Sequence, residues 1–219
     1  MVWNDFCFDK EHPVYEMLTE EFVEALGNYT AERIKTYLQK HQGNITILEV
    51  GAGDGRLTHF LNDKLKACGL NPDQFKIVAT DSGKFNIQAS FPVEKLTYQE
   101  ALQKHQPQMV LCSWMPIHQD WTKAFREKNS VQEYILIGEP EGGSCGDEWE
   151  TWGIPTSPQE EAESKKNSRP PWEIDNFRRY DLEDIHKLQL ARDDDFDDIE
   201  NGESLSRSHT ISFRRMTHS

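Results

Sequence analysis

Two periodicities of hydrophobic positions alternate along the chain. Val14, Met17, Leu18, Phe22 and Leu26 recur near helical spacing and predict a helix from Glu11 to Gly27, with Gly27 as its stop. Ile34, Tyr37 and Leu38 repeat the pattern and predict a second helix from Thr30 to His41, with Thr30 as its N-cap. A β-branched run over Ile45–Val50 then suits a buried strand, and Leu57, Phe60, Leu61 and Leu65 return to helical spacing. Phe75–Asp81, Val93–Tyr98, Met109–Trp114 and Glu133–Gly138 read as further strands. A helix is expected to open at Gln99, and another to surround Trp121 and Phe125. Strands alternating with helices predict parallel crossover units. The C-terminal part differs: Lys187–Arg192 and Thr210–Arg215 have no helix-sized apolar segment between them and predict an antiparallel hairpin. No internal repeat is present.

Composition narrows the class. With 219 residues the chain can bury one full core. A mean hydropathy of -0.76 describes a polar protein, and no apolar run approaches the roughly 20 residues that span a bilayer. Met1-Val2-Trp3-Asn4-Asp5 lacks a basic region followed by an apolar stretch, so no secretory signal is expected. The expected compartment is the cytoplasm, with the nucleus open. Cys7, Cys68, Cys112 and Cys145 form no C-x-x-C pair, which favours free thiols over disulfides or a metal site. A net charge of -14 disfavours nucleic acid, whose phosphates meet a repulsive field; it suits a cationic or neutral substrate, or simply solubility.

The most informative segment is Ile45 to Arg56. Gly51, Gly53 and Gly55 follow the strand at alternate positions and lead into a helix, a sequence of elements that brings backbone close to a ligand. A dinucleotide site wants G-x-G-x-x-G; here the sixth position is Arg56, and an acid, Glu49, stands two residues before the first glycine. The string Glu49-Val50-Gly51-Ala52-Gly53-Asp54-Gly55 resembles the E/D-x-G-x-G-x-G signature of class I S-adenosylmethionine-dependent methyltransferases. Adenosylmethionine carries a cationic ammonium and sulfonium and no pyrophosphate, so nearby carboxylates help.

The resemblance covers essentially Ile45 to Met216 and implies an α/β fold: a doubly wound, mostly parallel, seven-stranded Rossmann-like sheet ending in an antiparallel hairpin. It divides the chain, as a single domain, into an N-terminal helical cap (1–44), a cofactor-binding core (45–140), an irregular substrate loop and linker (141–176) and the hairpin (177–219). It implies S-adenosyl-L-methionine as cofactor. Glu49, Gly51, Ala52, Gly53 and Gly55 are expected at that cofactor. Asp81, at the end of the second strand, can accept two ribose hydroxyls, or cap a helix starting at Ser82. Tyr98 and Gln99 fall near the adenine.

Strand C-termini should gather Gly51–Gly55, Asp81 with Ser82, Ser113–Pro116 and Glu139 along one edge. Ser113-Trp114-Met115-Pro116 occupies the place where nucleobase-amine methyltransferases carry Asp or Asn, Pro-Pro and an aromatic; this sequence departs from that pattern. Trp114 can form a substrate wall or a cation–π surface, or be a core aromatic. His118 is the candidate base, or a surface histidine opening a helix. Glu139 can orient a substrate amine or hydroxyl, or cap. His59 is expected to be structural, and Cys145 is not needed for methyl transfer.

Two irregular regions remain. Glu141–Asn176 begins with Gly142, Gly143 and Gly146 and carries Trp149 and Trp152. Its first half is expected to border the active edge, and Pro158–Pro170 to be a linker. The acidic run Asp193–Glu200 fails the EF-hand spacing: with Asp197 at position one Gly202 meets the sixth, but the third and twelfth fall on Ile199 and Ser208. The expected activity is methyl transfer to a small molecule or a basic protein segment. Alternatives are a catalytically inactive methyltransferase-like scaffold and a nucleotide-dependent oxidoreductase, the latter disfavoured by Arg56.

Overall fold

The computed structural model describes residues 13–41, 43–140, 144–155, 173–189 and 208–216. Five strands form its parallel half: β1 (Ile45–Val50), β2 (Phe75–Asp81), β3 (Glu94–Lys95), β4 (Met109–Ser113) and β5 (Glu133–Gly138). Three more, β6 (Glu173–Ile174), β7 (Phe177–Asp181) and β8 (His209–Arg215), complete a sheet ordered β3-β2-β1-β4-β5-β8-β7-β6. β8 runs antiparallel to β5 and to β7, and β6 antiparallel to β7.

Side-chain alternation sorts the strands onto two cores. Ile45, Ile47, Met109, Leu111, Ile135 and Ile137 face one side. Leu48, Val50, Val110, Cys112, Tyr134 and Leu136 face the other. Both faces are covered, which is why these strands read as nearly continuous apolar runs. The first face packs against α1 (Glu20–Lys40), α2 (Arg56–Ala67) and Ile185 of the single-turn helix α5 (Glu183–His186). The second packs against α3 (Tyr98–His105), Phe125 of α4 (Thr122–Glu127) and the buried Trp152.

The N-terminal helices are corrected by the structure. One helix of 21 residues replaces the two expected, capped by the Thr19 side chain accepting from the Phe22 N–H at 3.2 Å. Gly27 and Thr30 are both buried inside it. Gly27 is there for close approach: a Cβ would collide with the stem of Lys64 on α2. Val14, Met17 and Leu18 precede the helix; Val14 and Leu18 line a cavity, and Leu18 also packs on the core.

The C-terminal hairpin is also corrected. Leu188 and Gln189 donate to the carbonyls of Ile185 and His186, so they continue a helical turn rather than a strand. β7 supplies the partner of β8, with Phe177 opposite Arg215 and Asp181 opposite Ile211. A two-residue edge strand, β6, brings the described strands to eight where seven were expected. The third strand is shorter than expected, because Thr97 and Glu100 form a reciprocal capping box that starts α3 at Tyr98. Gly142, Gly143, Pro158–Pro170, residues 190–192 and the acidic run Asp193–Glu200 lie outside the described residues.

Candidate functional site

The strand order reverses between β1 and β4, each of which leads into a connection on a different side of the sheet. Such a switch point opens a crevice at the strand C-termini. A cavity of about 650 Å³ lies there, bounded by the ends of β1, β2 and β4, the segments that follow them, and the stretch before α1.

β1 delivers the glycine turn to this cavity. Gly51 (φ +67°) sits under Trp121, where a Cβ would lie 3.1 Å from the indole. The turn is tied down by Ala52 N–H donating to the Thr80 carbonyl and Gly55 N–H to the Ala52 carbonyl. Gly55 (φ +83°) occupies the N-cap of α2 and is hemmed by Phe91 and Val93. It shapes the turn without lining the cavity.

Glu49 lines the cavity although it is only 2% exposed. Its carboxylate accepts from the Thr58 N–H at 3.0 Å and the Thr58 hydroxyl at 2.5 Å, both in the first turn of α2. Burial pushes its pKa up to about 7 against the pull of these Thr58 bonds, and the nearby Asp54 and Asp81 charges add to the rise. A carboxylate so poised gains from any cation brought into the cavity.

Asp81 sits across the turn from it. One of its oxygens accepts from the Gly53 N–H at 3.1 Å and the other from the Gly83 N–H at 2.7 Å. Each oxygen keeps a lone pair for a further donor. No helix starts at Ser82; the exposed Ser82 hydroxyl accepts from the Lys84 N–H at 3.2 Å. Asp81 therefore locks the glycine turn to β2 rather than capping a helix. Asp54 adds a third carboxylate, neutralised by Arg56 at 2.6 Å.

Tyr98, Ser113 and Trp114 line the same cavity. Tyr98 stacks on Trp121 with ring centroids 4.9 Å apart. Trp114 holds a left-handed backbone (φ +57°), its N–H donating to the Ile137 carbonyl at 2.8 Å. Its indole Nε1–H donates to Glu16 at 3.0 Å, and Tyr15 stacks beside it. The segment before α1 thus closes one wall with the carboxylate of Glu16 and the ring of Tyr15.

Of the expected cofactor residues, Glu49, Gly51, Ala52, Gly53, Asp81, Ser82, Tyr98, Ser113 and Trp114 come together, from segments remote in sequence. His118 and Glu139 do not line this cavity. His118 is exposed, in a left-handed turn (φ +59°) fixed by its N–H donating to the Gly146 carbonyl at 2.7 Å. Glu139 is buried beyond the end of β5. From the irregular loop Ser144 reaches the cavity, but Trp152 turns into the core and donates from Nε1 to the Cys145 carbonyl at 2.8 Å. Glu16, Asp54, Leu96 and Trp121 also line the cavity and were not anticipated. Asp54 was readable inside the glycine signature; Glu16 was concealed by a periodicity that suggested a helix.

No family model matches the sequence, and no curated protein matches it. Solved structures match by shape. The crystal structure of a DszA carbon methyltransferase superposes with a TM-score of 0.51 at 13% identity, covering 98% of this chain and 60% of that one. The plantazolicin methyltransferase BpumL, in complex with a desmethylPZN analog and SAH, gives 0.45 at 9% identity over 90% of this chain and 86% of that one. A magnesium protoporphyrin IX methyltransferase from Synechocystis gives 0.39 at 9%, over 98% and 89%. The first of these carries the comparison: this chain has a Rossmann-like methyltransferase fold, and it spans about three fifths of that structure's length, the 60% just given.

Proposed function

We propose that this methyltransferase fold works as an S-adenosylmethionine-dependent methyltransferase on a cationic or neutral acceptor, a small molecule or a basic protein segment. The observation that carries the proposal is the convergence of Glu49, the Gly51–Gly53 turn and Asp81 on one cavity, with Trp114 and Glu16 on its wall. The donor set fits the cofactor. Glu49 is a buried carboxylate awaiting a cation, Asp81 has lone pairs for two ribose hydroxyls, and Leu96 and Tyr98 offer an apolar slot for a base.

Bound there, adenosylmethionine supplies an electrophilic methyl group on a positively charged sulfur. The chain's residues then have to align an acceptor lone pair with that methyl group and exclude water. Trp114, fixed through its backbone and its indole N–H, offers a rigid face to the acceptor, and an ammonium elsewhere on the acceptor than the reacting atom gains from its π-surface and from Glu16. A neutral acceptor nitrogen needs no base before attack. This is consistent with the positions of His118 and Glu139 outside the cavity wall, to which we assign no proton transfer. Those positions also favour the second reading, a cofactor-binding scaffold that does not transfer the methyl group.

Incubation with methyl-labelled adenosylmethionine and fractionated cell extract, followed by mass spectrometry, separates the two. An extract component that gains one labelled methyl group identifies an acceptor. Binding of the cofactor with no methylated product in any fraction supports the scaffold.

A further inference from the structure

At the opposite edge of the sheet, where β1, β4 and β5 begin and β8 ends, a second cavity of about 590 Å³ opens between α1 and the last strands. Lys and Arg number 24 in the chain against 38 Asp and Glu, yet this wall gathers Arg33, Lys40, Arg178, Arg214 and Arg215 around one carboxylate, Glu133.

Glu133 cannot balance that charge. It is buried and already accepts from the Tyr29 hydroxyl at 2.5 Å, Arg33 Nε at 2.6 Å and the Ser212 hydroxyl at 2.7 Å, with Arg214 3.7 Å away. Two guanidinium groups therefore share one saturated carboxylate. Arg215 is held by the neutral carbonyls of Arg126, Lys128 and Val131. Lys40 is exposed at the last turn of α1 and has no ion pair among the described residues. Arg178, paired with Glu173 at 2.5 Å, stands directly opposite Arg214 in the β7–β8 register. Like charges facing each other across strands are unfavourable until an anion lies between them.

We propose that this cavity is a binding site for a small phosphorylated molecule, separate from the methyl-transfer cavity. Guanidinium forks match phosphate oxygens, and Arg33 uses only its Nε toward Glu133. Tyr37 and Tyr180, both partly exposed, supply aromatic surface for an organic body, and the volume lies in the range of small-molecule sites. A polynucleotide would instead meet the field of a chain with net charge -14.

The test is calorimetric titration of the full chain with inorganic pyrophosphate, with adenosylhomocysteine present to fill the other cavity. Saturable binding is expected, weakened by added salt and weakened about tenfold or more by Lys40→Glu and by Arg178→Gln. Both substitutions are peripheral, and unliganded melting curves show whether the fold is intact. Absence of binding at millimolar pyrophosphate would overturn the proposal. So would equal binding by both folded variants, or binding of an RNA oligonucleotide that pyrophosphate does not displace.

Discussion

Glu49 holds the most testable chemistry at the scale of single residues. Burial keeps its carboxyl protonated up to about 7, against an ordinary value of 4.5, so the folded chain retains a proton that the unfolded chain has lost between those limits. Stability should therefore rise as pH falls from above 7 toward 4.5 and decline as pH rises through 7, by at most ~3 kcal/mol from this group. Denaturant midpoints measured across that range should show the slope, and Glu49→Gln should flatten it. The cationic cofactor favours the ionised form, so its affinity should rise through the same interval in the natural protein and not in Glu49→Gln. Asp81→Ala removes both the candidate ribose acceptor and the acceptor for the Gly53 and Gly83 N–H groups. Adenosylhomocysteine affinity should fall at least tenfold, and stability by about 1–3 kcal/mol. Loss of stability with unchanged affinity would leave Asp81 a purely structural residue. Both carboxylates were legible in the sequence because the signature and the strand end mark them. Glu16 was not, because its contact with Trp114 joins residues far apart in sequence.

Among elements, the parallel strands were the readable part. Their apolar runs follow from burial on both faces. Helix limits were harder, because glycine has two uses that look alike in sequence. Gly27 reads as a stop, yet it packs α1 against Lys64 of α2. Gly27→Ala should destabilise the fold when Lys64 is present. In a Lys64→Ala background the same change should become less costly or favourable, by up to ~1 kcal/mol from helix propensity. A double-mutant cycle of unfolding free energies checks this; equal effects in both backgrounds would show that the close approach is unimportant. The tryptophans after β5 pose a similar ambiguity. Trp152 reads as a residue of the active edge but is 1% exposed and fixed to Cys145. Trp152→Ala should cost about 3–5 kcal/mol of stability, as loss of a core aromatic does, and thermal or chemical unfolding will show it. A change in turnover without a change in stability would return Trp152 to the active edge.

Among the described residues, a cavity lined by several carboxylates and a cavity lined by several arginines lie at opposite ends of one sheet. The strand C-termini present Glu16, Glu49, Asp54 and Asp81; the strand N-termini present the arginine cavity. No helix among the described residues is long and apolar enough to cross a membrane. What this arrangement most directly asserts is that the cavity at the strand C-termini recognises a cationic nucleoside rather than a pyrophosphate-bearing one. Calorimetric titration of the unliganded chain with adenosylmethionine, adenosylhomocysteine and NAD tests that assertion. Saturable binding of the first two, with NAD far weaker, is the predicted result. NAD binding as tightly as adenosylmethionine, or no binding of either methylation ligand, would contradict it.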